Sequence, residues 1–333
     1  MKIAIVKLSA MGDIIHAMVA LQYIKKQDST IQIDWIVESS FAQVLENNPD
    51  ISNIYRVNLK NIKKDKFSIF TQIKKIKDIS KNSYNLVIDA QGLLKSSIVS
   101  KILGSKIAGF DKNSIREGIA SLFYNEGVSI AYSDNTIDRN VKVLSKPLGF
   151  DISKEDILNK EPFLFYKDED SLIYDYLSDV KKNVLFVIGA SWPSKMYSKE
   201  KFVKIINSLD ENSLIIWNSD EEKEISEFIV SNSSAKMFPR VTLNSLKAII
   251  SKVDLVIGND TGPTHMAWAL NIPSITLFGN TPGYRNTYLT NINRVIESDT
   301  KVDPCKLDRN DFSIKDINEE LIINEARGLL QNI

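Results

Sequence analysis

Short apolar runs rich in isoleucine and valine recur along this chain, each followed by a polar turn and then a segment of helical period. Residues 2–7 open the series, and Gly12-Asp13 begins a stretch with Ile14, Ile15, Met18, Leu21 and Tyr23 at helical spacing. Residues 31–37, 54–57, 86–88 and 107–110 read as further strands, and 67–80 as an amphipathic, very basic helix. Helices are expected over 93–103, 114–124 and 137–148. Strands alternating with helices imply a parallel sheet covered on both faces. The pattern weakens around residues 149–169, where Pro147, Gly149, Pro162 and a run of charges interrupt it. It then restarts with strands at 183–188, 213–217, 235–238, 253–257 and 275–278, and helices at 198–209, 221–230, 243–251 and 314–330. At 333 residues the chain is long for one core, so the reading is two doubly wound, Rossmann-like α/β domains, 1–165 and 166–333. Neither half repeats the sequence of the other.

Open parallel sheets bind ligands beyond the carboxyl ends of their strands. The turns that matter are therefore Ser9-Ala10-Met11-Gly12-Asp13, Asp89-Ala90-Gln91-Gly92, Gly189-Ala190-Ser191, Asn218-Ser219-Asp220-Glu221 and residues 258–265. Two such domains facing one another would line all five along a central cleft. The last of these turns, Gly258-Asn259-Asp260-Thr261-Gly262-Pro263-Thr264-His265, joins a buried strand to a helix starting near Pro263. A helix start offers unpaired N–H groups and a positive dipole end to a phosphate. Asp260 as a plain N-cap, with Pro263 in the first turn, explains the same residues. Asp13 likewise reads as an N-cap or as a general base within reach of a substrate hydroxyl. His16, one turn on, reads as an orienting or packing residue. Lys195, in the loop after the 183–188 strand, is either a solvent-facing lysine or a cation placed to neutralise a diphosphate leaving group.

Several chemistries are disfavoured. Only Gly12 follows the first strand, so the closely spaced glycines of a dinucleotide fingerprint are missing, and no Gly-Lys-Ser/Thr phosphate loop occurs. Cys305 is the single cysteine, which excludes an internal disulfide framework and fits a reducing cytoplasm; two histidines leave little scope for zinc. No apolar run approaches the roughly 20 residues of a membrane span, and residues 1–7 are strand-like rather than a signal sequence. Net charge is zero, yet residues 1–166 carry 23 Lys/Arg against 18 Asp/Glu. Nine of those cations fall within residues 56–81, opposed only by Asp65 and Asp78. Such a run is a solvated helix face or a surface for an anionic partner such as phosphorylated lipid or nucleic acid.

The block Met1–His16, with Lys7-Leu8-Ser9-Ala10-Met11-Gly12-Asp13-Ile14-Ile15-His16 at its end, resembles the amino terminus of the lipopolysaccharide heptosyltransferases, the heptosyltransferase I branch in particular. Asp34-Trp35-Ile36-Val37-Glu38, Val87-Ile88-Asp89-Ala90-Gln91-Gly92-Leu93-Leu94-Lys95-Ser96 and residues 116–125 look like further blocks of that branch. Asp260-Thr261-Gly262-Pro263-Thr264-His265 looks like the family's donor-site motif. These blocks keep the family's order over nearly the whole chain. The resemblance implies a GT-B fold and an inverting, metal-independent glycosyl transfer without a cofactor. The donor would be ADP-L-glycero-D-manno-heptose and the acceptor the Kdo of a Kdo–lipid A inner core. Asp13 would be the base; Lys195 would meet the diphosphate and Glu221 the ribose. Asp260, Thr261, Gly262 and His265 would line the donor pocket, with Arg116, Ser9, Gly12, Lys7 and Gln91 at the acceptor end. The loop 189–194 lacks the paired threonines of the family, so only Ser191 carries over there. Glu221 and Glu222 are adjacent, and either can take the ribose position. The final helix, about 314–330, would pack back on the first domain. The basic stretch would meet an anionic membrane surface, making the protein peripheral on the cytoplasmic face of the inner membrane, with no nucleic-acid partner. The rivals are a transferase adding a later heptose, against which the Ser9-to-His16 block argues, a nucleotide-sugar-binding module without catalysis, and a nucleotide-sugar epimerase.

Overall fold

The computed structural model describes residues 1–332, and the chain divides into two compact units, Met1–Phe165 and Tyr166–Ile333. In the first, β1 (Lys2–Val6), β2 (Gln32–Glu38), β3 (Asn53–Val57), β4 (Leu86–Asp89), β5 (Ile107–Phe110) and β6 (Glu126–Val128) form one parallel sheet. Its order is β3-β2-β1-β4-β5-β6. The helices are α1 (Met11–Gln27), α2 (Ala42–Leu45), α3 (Ser68–Ser80), α4 (Leu94–Leu103), α5 (Thr136–Ser145) and α6 (Lys154–Leu158). The central strands are buried at nearly every position, which is why they read as unbroken apolar runs. Ile76 and Ile79 of α3 join Val99 and Leu103 of α4 in one core with Ala4, Val6 and Val87.

The second unit repeats the scheme with β7 (Asn183–Val187), β8 (Asn212–Ile216), β9 (Lys236–Met237), β10 (Leu255–Asn259), β11 (Ser274–Phe278) and β12 (Asn293–Glu297). They lie in the order β12-β11-β10-β7-β8-β9. Its helices are α7 (Lys199–Leu209), α8 (Asp220–Ser231), α9 (Leu243–Ile250), α10 (Gly262–Ala269), α11 (Gly283–Asn286) and α12 (Glu319–Gln331). In each sheet the chain winds outward one way and then the other. The winding reverses between β1 and β4 in the first unit and between β7 and β10 in the second. Those reversals are where such folds place their ligands.

Two expectations are corrected. Two of the four edge strands, β6 and β12, are absent from the sequence reading because Glu126-Gly127-Val128 and Asn293-Arg294-Val295-Ile296-Glu297 carry no long apolar run. The helix expected over 114–124 is a turn followed by a 3-10 helix, Gly118–Phe123, because the Asp111 carboxylate accepts the Asn113 and Ser114 N–H groups and closes a tight bend. The last helix buries Ile322, Ile323, Ala326 and Leu329 in the second unit's own core.

Near the end of the first unit, Lys160 is buried against the Phe163 ring, and burial pushes its amine down to about 8. The unfolded lysine titrates near 10.4, so between those values the unfolded chain holds more protons and native stability rises with pH. Urea unfolding at several pH values should show a gain of about 2 kcal/mol across that window. Lys160→Met should lack that increment.

Candidate functional site

The second unit's site is built where β7 and β10 end side by side. Gly258 pairs with Val187, and a Cβ there would stand 2.5 Å from both the Cβ and the carbonyl oxygen of Val187, so only glycine lets these strands approach. Asn259, fully buried, locks the adjoining loop: its Nδ2 donates to Ile188 O at 2.7 Å and its Oδ1 accepts the Tyr197 N–H at 3.1 Å. That lock aims the next loop, Pro193–Lys195, at the start of α10.

There the carboxylate of Asp260 gathers four side chains. Oδ2 accepts from Lys195 Nζ at 2.6 Å, Thr281 Oγ1 at 2.9 Å and Asn286 Nδ2 at 3.2 Å, while Oδ1 faces His265 Nε2 at 3.1 Å. Lys195 and Asp260 are both buried, 8% and 5% exposed, so neither charge is left to bulk water. Burial alone would raise the carboxyl, but Lys195 and His265 together hold it far below the usual carboxylate range. Asp260 is therefore not the helix cap. Thr261 holds the N-cap position, and its N–H donates to the Thr264 hydroxyl at 3.3 Å, with Pro263 in the first turn. Lys195 keeps donor capacity beyond this one pair, since an ammonium carries three N–H groups.

Around this cluster lie residues that the sequence reading missed. Thr281 and Asn286 follow β11, whose outgoing turn obeys the same strand-end rule as the others. Asn280 Nδ2 ties Ser194 Oγ at 2.8 Å to the carbonyl of Asp308 at 2.9 Å. Two cations lie over the Trp192 ring, with Lys195 Nζ 5.3 Å and Arg309 Cζ 4.8 Å from its centroid. Ser191, the expected phosphate contact, is exposed in this loop.

The adjacent glutamates are now distinguished. Glu221 is exposed on α8, whereas Glu222 turns back so that its carboxylate accepts the Asn218 N–H at 2.7 Å. A Cβ at Gly189 would lie 2.0 Å from Glu222 Oε1, so the carboxylate occupies the space that glycine leaves at the end of β7. Glu222 is thus the one of the pair whose carboxylate lies at the end of β7.

In the first unit, Asp13 is the third residue of α1, and its Oδ2 accepts the Ala10 N–H at 3.3 Å. Asp13, Ser9 and Gly12 are all partly exposed. Behind them Gln91 Oε1 accepts the N–H groups of Leu8 and Ser9 at 3.0 and 2.9 Å, and buried Lys7 donates to Ala90 O at 2.8 Å. Gln91 thus braces the Ser9–Asp13 turn from the loop after β4, and Lys7 ties the end of β1 to the same loop. Asp89 is buried and its carboxyl is raised by that burial; it accepts the Tyr124 hydroxyl at 2.8 Å and the Gln91 and Gly92 N–H groups. His16 packs away from this turn, its Nδ1 3.1 Å from Thr136 Oγ1 on α5. Arg116 is exposed just before the 3-10 helix. Glu38, at the end of β2, is buried with one carboxylate oxygen unpartnered, and burial raises it against the opposing charges of Lys95 and Lys60.

The profile of glycosyltransferase family 9 (heptosyltransferase) matches residues 73–313. Lipopolysaccharide heptosyltransferase 1 of Campylobacter coli is 39% identical, with 99% of each chain covered. The solved structure of E. coli heptosyltransferase WaaC with ADP superposes with a TM-score of 0.81 at 23% identity, covering 99% of this chain and 100% of that one. WaaC with ADP-2-deoxy-2-fluoro heptose gives 0.78 at 22% identity, covering 98% and 99%. At these identities the structures show the fold, the two-domain GT-B type.

Proposed function

The chain belongs to glycosyltransferase family 9, the heptosyltransferases, and on that premise we propose that it transfers L-glycero-D-manno-heptose from ADP-heptose to the Kdo of Kdo–lipid A. This is the first heptose of the lipopolysaccharide inner core. The observation that carries the proposal is the buried Lys195–Asp260–His265 cluster at the head of α10. A cation fixed beside helix N–H groups suits a diphosphate that gains charge as it leaves. The relative at 39% identity, named lipopolysaccharide heptosyltransferase 1, supports the choice of sugar and acceptor.

In this reading Lys195 and the Thr261-Gly262 helix start take the donor diphosphate, with His265 toward the heptose and Ser191 at the rim. Glu222, in place of Glu221, accepts the ribose hydroxyls. Asp13 of the first unit deprotonates the acceptor hydroxyl, with Ser9, Gly12 and Arg116 beside it and Lys7 and Gln91 holding the turn. Transfer inverts the anomeric centre through an oxocarbenium-like state, base and leaving group on opposite faces of the sugar. Neither metal nor cofactor has a part in these steps. The acceptor's lipid sets the work at the anionic cytoplasmic face of a membrane. No helix among the described residues is long and apolar enough to cross one, so the contact is peripheral.

Donor identity is tested by thermal unfolding with a panel of nucleotide sugars, because a ligand of the native state raises Tm by mass action. ADP-heptose and ADP should raise it and UDP sugars should not; the reverse preference would overturn the donor assignment. Gly189→Ala gives a sharper check on one contact. Its methyl must displace the Glu222 carboxylate, so the KM for ADP-heptose should rise by about tenfold, the worth of one charge-assisted hydrogen bond. An unchanged KM would remove Glu222 from the ribose.

A further inference from the structure

The first unit leaves three pairs of large apolar side chains in water: Phe67 and Phe70 at the N-cap and in the first turn of α3, Leu94 and Ile98 on α4, and Ile119 and Leu122 on the 3-10 helix. Four of them are mostly exposed, at 82% for Phe67, 70% for Phe70, 65% for Ile119 and 80% for Leu122. Within each pair the spacing is three or four residues, which puts both side chains on one helix face. The three elements are neighbours. α3 and α4 share one core, and the Glu117 carboxylate accepts the Leu94 N–H at 2.7 Å, holding the 3-10 helix against the start of α4.

Parallel βαβ topology brings these pairs to one edge. A helix that follows a strand begins where that strand ends, so the first turns of α3 and α4 lie at the carboxyl edge of the sheet. The Ser9–Asp13 turn lies at the same edge of this unit. Exposed Lys64, Lys66, Lys95 and Arg116 flank the pairs. Of the exposed acids beside them, Asp65 accepts the Phe67 N–H at 3.0 Å and Glu117 accepts the Leu94 N–H, while Glu38 near Lys95 is buried. Scattered exposed hydrophobics are ordinary, but six on three adjoining elements ringed by cations mark a surface with a partner.

We propose that this corner is a bilayer-docking surface, the apolar pairs entering the interfacial region of a membrane while the cations meet its anionic headgroup phosphates. Aromatic and aliphatic side chains beside lysines suit that boundary, where one end of the surface is apolar and the other charged. The inference rests on the reading of a lipid-borne acceptor for its purpose. Docking here holds the Asp13 edge of the first unit toward the headgroups, where a lipid-linked sugar is found.

Flotation of the full-length protein with vesicles tests it, using phosphatidylcholine alone and phosphatidylcholine with phosphatidylglycerol. Wild-type protein should float with the anionic vesicles and be released by salt. Phe67→Ser/Phe70→Ser and Ile119→Ser/Leu122→Ser should each lower the partition coefficient by at least about tenfold, with Tm unchanged because the side chains are exposed. Lys64→Glu/Lys66→Glu should weaken binding to anionic vesicles only. Turnover on an acyl-free acceptor should stay at the wild-type level in all three variants, while turnover on vesicle-embedded acceptor falls. Wild-type protein that ignores both vesicles, variants that bind as wild type does, or light scattering showing that the serines merely split a dimer would each overturn the surface. Vesicle binding lost in the variants by a protein that transfers no heptose would uphold the surface and sink the reading of the reaction.

Discussion

Asp13→Asn is expected to cut heptose transfer by about a thousandfold, within the range of a lost general base, while ADP-heptose binding stays within about twofold of wild type. The amide keeps the side chain's shape, and its oxygen can still accept the Ala10 N–H that the carboxylate accepts now. It cannot accept a proton from the acceptor hydroxyl. Asp13→Ala is the informative companion, because it removes the helix-start hydrogen bond as well and should lose about 1 kcal/mol of stability. A drop in turnover common to both, with lost stability only in the alanine variant, separates chemistry from capping. Wild-type turnover in Asp13→Asn would remove the residue as base.

Lys195→Ala carries the second large effect, because it acts on stability and donor binding at once. Removing one partner of a buried ion pair leaves an uncompensated charge and costs about 3–5 kcal/mol. Thr281, Asn286 and His265 remain around the Asp260 carboxylate, and only His265 can supply positive charge. The pH dependence should change sign. In the wild type the Asp260 carboxyl is lowered, so its contribution to stability is present above the unfolded value of about 3.9 and is lost as pH falls through the native one. Without Lys195, burial prevails and raises that carboxyl, so acidifying from neutrality toward about pH 4 should stabilise the variant. Lys195→Met/Asp260→Asn should recover most of the stability, since the pair is replaced as a whole, yet still bind ADP-heptose at least about a hundredfold more weakly. Chemical unfolding together with calorimetric donor titration measures both. Intact donor binding in the double variant would deny the pair its part in the site.

Much of the fold was legible because buried parallel strands announce themselves as short Ile/Val runs and their helices by period. The strands β6 and β12 were not, since Glu126-Gly127-Val128 is only three residues long and polar residues flank the Val295-Ile296 pair of β12. Within the candidate site, Asp260 and Lys195 could each be suspected from a strand-end turn, but their direct contact spans 65 residues of sequence and required the order of β7 and β10. Thr281 and Asn286 lay within reach of the same rule, in the turn after β11, which carries no glycine-rich or acidic signature beyond Gly279 and Gly283 to draw attention. Glu222 could not be told from Glu221 in sequence: adjacent helix positions differ by direction alone, and direction was settled by the space at Gly189. Asn259 and Asn280 were silent for another reason. Each works by hydrogen-bonding backbone or a loop side chain, which leaves no pattern of spacing.

Heptose transfer itself is the most direct test of the proposed activity. Purified protein is incubated with ADP-heptose and, separately, Kdo-capped and heptose-capped lipid A, and the glycolipid product is followed by mass spectrometry. One heptose should be added to the Kdo-capped acceptor, with ADP released in equal amount and little product from the heptose-capped one. Preference for the heptose-capped acceptor, or consumption of ADP-heptose by isomerisation with no glycolipid formed, would contradict it.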